Sequence, residues 1–325
     1  VARCARRRDP EPALPSGRAR RTSLRPMSRG EPRFRGVYLP VITPFAADGS
    51  VAHDALARLC SDALDAGVAG IVALGTTGEA SALEPGEREA VVATCARVCA
   101  ARGAPLVVGA GTNNTVATVA AVRALEGTPA LAGVLIVVPY YVRPSEAGIV
   151  AHMRTVAEAS PVPVIVYNIP YRTGRGLGAA SLLELAAVPN IAGVKQAVGG
   201  LDVDTLQVLA EAPADFAVLG GEDPFLFPTV LCGGAGAIAA SAHVCTDRFV
   251  AMIDCALAQK VEEGRRHHEA LLGVVRAGFA EPNPSVWKGV LHAQGRIPTP
   301  DLRAPMTPAS PEAVRRCLEA ITAAG

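Results

Sequence analysis

Lysine is nearly missing from this chain: 28 arginines stand against three lysines, Lys195, Lys260 and Lys288, in 325 residues. Aromatic side chains are also scarce, with one Trp, five Tyr and seven Phe. No apolar run approaches the roughly 20 residues that a membrane-crossing helix needs, so no membrane span is expected. Eight cysteines are present but none has CxxC spacing, which argues against a zinc ribbon or a disulfide framework and for a reducing, cytoplasmic compartment. Cys95 and Cys99 share a helical stripe with Val91, Val92 and Val98 and read as small core hydrophobes.

The net charge of +1 conceals an asymmetry. Residues 1–35 hold eleven Arg against Asp9, Glu11 and Glu31, a balance of +8, and the remaining residues carry −7. A mildly acidic body gives no support to nucleic-acid binding. The head, residues 1–34, lacks hydrophobic periodicity and is expected to be disordered. It has no apolar h-region, so it is not a secretory signal. A transit peptide, a basic arm, or residues preceding a true start at Met27 remain open, the last preferred.

What the chain does have is hydrophobic mass: half of its residues, with a mean hydropathy of +0.29. Short, continuous, β-branched or small apolar runs recur at 36–43, 69–75, 105–110, 131–138, 163–168, 191–195, 216–220 and 236–241. Continuous rather than alternating runs are how strands buried on both faces read. Amphipathic stretches separate them. Residues 54–67 place Leu56, Leu59, Cys60, Ala63 and Leu64 on one face and stop at Gly67, and residues 181–190 begin at Ser181 as a cap candidate. Eight strands alternating with helices predict a parallel (β/α)8 TIM barrel over 35–259. A doubly wound sheet is disfavoured because no GxGxxG follows the first strand. Beyond residue 245 only helical patterns remain, so 260–325 is expected to form a C-terminal helical domain.

Polar and aromatic residues gather behind the strands: Thr76-Thr77-Gly78-Glu79, Tyr140-Tyr141, Tyr167-Asn168, Lys195-Gln196, Gly221-Glu222-Asp223, and His243. In a (β/α)8 barrel these points share the mouth where active sites lie. Lys195 is the sharpest of them. In a chain that uses arginine nearly wherever a bare charge suffices, a lysine at a buried strand end points to amine chemistry, because an amine can lose its proton and attack a carbonyl. Desolvation by Ile191 and Val194 is expected to lower its pKa. A structural ion pair is the alternative. Tyr167 lies one strand earlier and suits a proton relay. Arg172 suits a carboxylate fork or a surface ion pair. GTTGE suits a carboxylate or serves as an ordinary turn. Asp223-Pro224 reads as a helix cap without chemistry, and His243 as structural rather than catalytic.

In order along the chain, GTTGE (75–79), PYYVRPS (139–145), YNIPYRTG (167–174), GVKQA (193–197), GGAGAI (233–238) and EPNP (281–284) resemble the dihydrodipicolinate synthase / N-acetylneuraminate lyase family of class I aldolases. TPFAADG (43–49) and LRAPMTP (302–308) extend the resemblance over about 36–310. It implies a pyruvate Schiff base on Lys195, with Tyr167, Thr76 and Tyr141 as the other catalytic positions, Tyr141 serving a neighbouring subunit. It also implies Thr77, Arg172, Ile238 and Gly221 as substrate-binding positions, no metal or organic cofactor, and a homotetramer built as a dimer of dimers. The Thr pair, Tyr-Tyr and YRTG look like the synthase branch, which joins pyruvate to aspartate semialdehyde on the route to diaminopimelate and lysine. Gln196 looks more like the sialate lyases, and the family also holds keto-sugar-acid and 4-hydroxy-2-oxoglutarate enzymes. A catalytically retired binding protein would lack the set Lys195, Tyr167, Thr77 and Arg172. Many synthases of the family are inhibited by lysine at a subunit boundary. Ala80, Pro85, Arg88 and Ala117 stand here where inhibited relatives carry polar, imidazole or carboxylate groups, so insensitivity to lysine is expected.

Overall fold

A computed structural model describes residues 31–325; the basic head, apart from its last four residues, lies outside the described residues. Eight parallel strands close into a barrel in sequence order. They are β1 (Gly36–Pro40), β2 (Gly70–Ala73), β3 (Leu106–Gly109), β4 (Leu131–Val137), β5 (Val164–Asn168), β6 (Ile191–Gln196), β7 (Ala217–Gly220) and β8 (Gly236–Ile238). Every strand falls on one of the apolar runs, and helices join them, giving the (β/α)8 TIM barrel that the pattern predicts. Closure is tight where β8 meets β1 at Gly36 and Gly236. A Cβ on Gly236 would stand 2.1 Å from the Gly36 carbonyl oxygen, so no side chain fits there.

Alternation along the strands divides the apolar residues into two layers. Tyr38, Val72, Val107, Leu135, Ile165, Tyr167, Leu219 and Ile238 fill the lumen, with Phe34 in the same cluster. Val134, Ile136, Val164, Val166, Val194 and Val218 face outward against helices such as Glu146–Ala159 and Ala179–Ala186. Cys95 and Cys99 are free and buried in the outer core, as expected of small hydrophobes.

Local chemistry sets several helix starts. Asn114, Ser145, Asp202 and Ser310 each accept a backbone N–H from the first turn of the following helix. The helix His53–Asp65 ends two residues before Gly67, whose φ is +98°. Ser181 is not a cap: Gly178 starts the helix Ala179–Ala186, and the Ser181 hydroxyl donates to Glu146 from inside it. The C-terminal helices Val261–Gly278, Ser285–Ala293 and Pro311–Ala324 share one core with the barrel, in which Trp287, Val290 and Leu291 lie with Val41, Ile42 and Phe45. The helix Ser285–Ala293 escapes the sequence pattern for a physical reason. Seven of its nine residues are buried, and nine residues behind the Pro282-Asn283-Pro284 turn give a short window for a period.

Candidate active site

The C-terminal ends of the strands open into a cavity of about 1610 Å³. Gly75, Thr76, Tyr140, Tyr141, Tyr167 and Arg172 are among its lining residues. Lys195 sits behind this wall on β6, in register with Tyr167 of β5 and Leu219 of β7. It is 8% exposed, and its Nζ lies 4.3 Å from the centre of the Tyr167 ring. Gly221 makes room for it, since a Cβ there would approach Lys195 Cε to 2.8 Å.

Burial lowers the Lys195 pKa to about 8, the Asp223 and Glu222 carboxylates oppose the fall, and Arg172 adds to it. The direction agrees with the sequence expectation but the source does not. Ile191 and Val194 belong to the outer layer under the helices, whereas Lys195 projects inward among the lumen residues. The same alternation resolves Gln196. It faces outward, where its Nε2 donates to Thr205 Oγ1 at 3.0 Å and its Oε1 accepts from Asn168 Nδ2 at 3.0 Å. Gln196 therefore supports the barrel wall and does not face the lumen.

Burial pushes the Tyr167 phenol up to about 12, with the Thr76 hydroxyl close enough to oppose the rise. Thr76 and Thr77 form a 3-10 turn with Gly78. Thr76 is exposed to the cavity and Thr77 is buried, its Oγ1 accepting from Asn283 Nδ2 at 3.0 Å. Arg172 lies in the single helical turn Pro170–Thr173, with its guanidinium beside the Tyr171 ring. Ile238 ends β8 in the lumen layer. Tyr141 stands apart at the rim, 88% exposed with φ +71°.

Asp223 is not the helix cap that its Asp-Pro context indicates. It is buried, and its Oδ1 accepts the Ser241 N–H at 2.8 Å. Burial raises its pKa, the Ser241 hydrogen bonds and Lys195 lower it, and Glu222 adds to the rise. Glu222 Oε1 is buried without a hydrogen-bond partner. Both carboxylates act on Lys195, a role that the sequence signals only through their place behind β7. Arg143 and Tyr171 also line the cavity. His243 is structural, as expected: Nε2 accepts the Ile42 N–H at 3.1 Å, Nδ1 meets the Ala240 carbonyl, and burial lowers its pKa to about 4. Among the described residues, Cys255, Glu263 and His267 are close enough to share a metal ion, but they sit on the helices Thr246–Leu257 and Val261–Gly278, not behind the strands.

No helix among the described residues is long and apolar enough to cross a membrane. The profile of the dihydrodipicolinate synthetase family matches residues 33–324. A 4-hydroxy-tetrahydrodipicolinate synthase from Neisseria meningitidis is 36% identical over 292 residues, 90% of this chain and 99% of that protein. The crystal structure of a dihydrodipicolinate synthase from Thermotoga maritima superposes with a TM-score of 0.86 at 31% identity, covering 90% of this chain and 99% of the other. That of a chloride-inhibited dihydrodipicolinate synthase from Acinetobacter baumannii, complexed with pyruvate, gives 0.85 at 30% identity, with 90% and 99% covered. With a closed barrel, an inward lysine at the end of β6 and a family match along nearly the whole described chain, this protein belongs to the dihydrodipicolinate synthetase family.

Proposed function

We propose that this enzyme is a class I aldolase of the synthase branch, joining pyruvate to L-aspartate 4-semialdehyde. The observation that carries the proposal is Lys195, buried at the strand ends with its pKa lowered to about 8 and its amine against the Tyr167 ring. The neutral amine attacks the pyruvate carbonyl, and loss of water leaves an iminium. The iminium withdraws electrons from the adjacent methyl group, which gives up a proton and becomes a nucleophilic enamine carbon. That carbon attacks the aldehyde of the second substrate and forms the new carbon–carbon bond. Tyr167 and Thr76 are the proposed proton path, continued by Tyr141 from a neighbouring subunit. Thr77 and the turn around it hold the pyruvate carboxylate. Gly221 and Ile238 shape the floor, and Arg172 at the rim holds the carboxylate of the aldehyde. The Acinetobacter relative crystallised with pyruvate supports the first substrate. The Neisseria synthase, 36% identical over 90% of this chain, favours the synthase branch over the sialate-lyase reading that Gln196 suggested.

The barrel, 35–259, is proposed to carry this chemistry and 260–325 to buttress it, within a homotetramer of the cytoplasm. Replacement of the polar groups at Ala80, Pro85, Arg88 and Ala117 is proposed to leave the enzyme insensitive to lysine. The test is borohydride trapping with pyruvate, read by mass spectrometry, followed by turnover of aspartate semialdehyde, sialate and keto-sugar acids. An adduct at Lys195 and turnover of aspartate semialdehyde alone is the expected result. A trapped enzyme that turns over only a sugar acid refutes the synthase assignment, and a chain that gains no mass refutes the aldolase.

A further inference from the structure

The second of the three lysines to be buried has no part in the chemistry above. Lys288, in the helix Ser285–Ala293, is fully buried, and its Nζ meets Glu79 Oε1 at 2.6 Å. It also donates to the Asp301 carbonyl at 2.7 Å and lies 4.0 Å from the centre of the Phe45 ring. Glu79 is nearly as enclosed as its partner, and its other oxygen accepts the Arg303 backbone N–H at 2.8 Å. Both carboxylate oxygens are thus held by the C-terminal segment, more than 200 residues away in sequence.

Glu79 closes the turn that carries the threonine pair. It follows Gly78 at φ 54° and ψ 32°, and its N–H donates to the Thr76 carbonyl at 3.1 Å. A left-handed conformation in a non-glycine residue persists where its surroundings hold it. Here the holders are Lys288 and Arg303 behind the turn, Asn283 on Thr77 Oγ1, and Thr43, whose hydroxyl donates to the Gly78 carbonyl at 2.7 Å. The chain's preference for arginine fails at this position for a geometric reason. A guanidinium has five N–H donors in a planar fork. The pocket offers two acceptors and an aromatic face, so a compact ammonium fits and the fork does not.

We propose that Lys288 is a positioning residue: through Glu79 it fixes the turn that sets Thr76 and Thr77 against pyruvate, making the C-terminal helical region part of the active-site scaffold. The inference rests on the proposed role of the threonine pair in holding pyruvate. Arg172, the proposed aldehyde anchor, stands on a different loop, so the clamp is expected to act on pyruvate KM rather than on aldehyde KM.

The variants are Lys288→Met and the double change Glu79→Gln with Lys288→Met, which removes both buried charges together. The single variant leaves Glu79 buried without its cation and is expected to lose thermal stability. The double variant is expected to regain most of that stability, yet to show a pyruvate KM raised at least tenfold, slower borohydride trapping, and an aldehyde KM within twofold of wild type. A double variant that regains both stability and normal pyruvate KM overturns the inference, because the pair is then only a brace of the fold. Equal losses toward both substrates overturn it too, as does a double variant that does not fold. If the wild-type enzyme forms no pyruvate adduct, the proposed function falls and takes the clamp's purpose with it. An adduct in the wild type with a normal double variant removes the clamp alone.

Discussion

A lysine is a useful nucleophile only while it is unprotonated, and burial sets that fraction here. With a pKa of about 8, roughly a tenth of Lys195 is neutral at pH 7, against roughly one part in 2,500 for an unperturbed amine of pKa about 10.4. The sign follows from the reactive form. Deprotonation creates the nucleophile, so the rate of pyruvate imine formation rises with pH from 6 and levels off above about 8. Stopped-flow or quench trapping across that range checks it; a rate that still climbs steeply between pH 9 and 10 shows that the amine is not desolvated. Lys195→Arg keeps the charge, removes the accessible neutral form, and is expected to abolish the adduct while leaving the circular dichroism spectrum unchanged. Arg172→Ala tests the rim. A charge-assisted carboxylate pair is worth about 1.5–3 kcal/mol, so kcat/KM for aspartate semialdehyde falls roughly 10- to 150-fold while pyruvate trapping persists. Lys195 was legible because the composition isolates it. Strand parity turns Gln196 and Val194 away from the lumen, and Ile191 leaves the face of Lys195 at the register irregularity between β5 and β6, so neither apolar residue is the desolvating neighbour of Lys195 that the sequence suggested.

Elements were legible wherever burial is one-sided or complete over a short run. The eight strands follow from continuous apolar segments, and the helix Pro311–Ala324 falls within the helical patterns expected beyond residue 245. The helix Ser285–Ala293 was not, because nine residues behind the Pro282-Asn283-Pro284 turn are a short window for a period. Its role was hidden as well, since Lys288 acts through contacts with residues over 200 positions away. Packing of this region is equally unforgiving. A Cβ on Gly278 would lie 1.7 Å from Trp287 Cη2, and Trp287 is fully enclosed with Phe279 edge-on at 5.5 Å. Gly278→Ala forces the indole or its helix to move, and overpacking of this kind costs about 1–3 kcal/mol. Differential scanning calorimetry is expected to show a lower Tm. An unchanged or higher Tm means that the ring has room to shift.

At the scale of the whole molecule, the single chain leaves its wettest aromatic unexplained until a neighbour is supplied. Tyr141 is 88% exposed beside the half-exposed Tyr140 and Val142, on a loop that the proposed assembly covers. By the family resemblance, a regulatory ligand of the proposed assembly would lodge beside GTTGE, where the helix Pro85–Arg102 forms one wall of the cavity. The side chains on this wall decide what binds there. Arg88, Glu89 and Arg97 line it with Ala80, Ser81 and Pro85, so two cations face one carboxylate. Glu84 and Glu87 are engaged in their helix-capping box, and Glu87 also holds Arg303 at 2.6 Å. Ala117 is exposed on the helix Thr115–Arg123 and offers no acid. A free lysine brings two ammonium groups and one carboxylate. Its carboxylate finds an arginine readily, but its ammonium groups compete for Glu89 against Arg88 and Arg97. Enclosing a charge without a partner costs several kcal/mol, and each 1.4 kcal/mol is about tenfold in affinity. Initial rates at saturating pyruvate and aspartate semialdehyde are therefore expected to be the same with no L-lysine and with about 1 mM L-lysine, a concentration well above a micromolar-class Kd. Loss of half the rate would show that the assembled interface supplies the missing carboxylate. Arg88→His with Ala117→Glu, which lowers the positive charge and adds an acid, is expected to bring measurable inhibition at the same concentration.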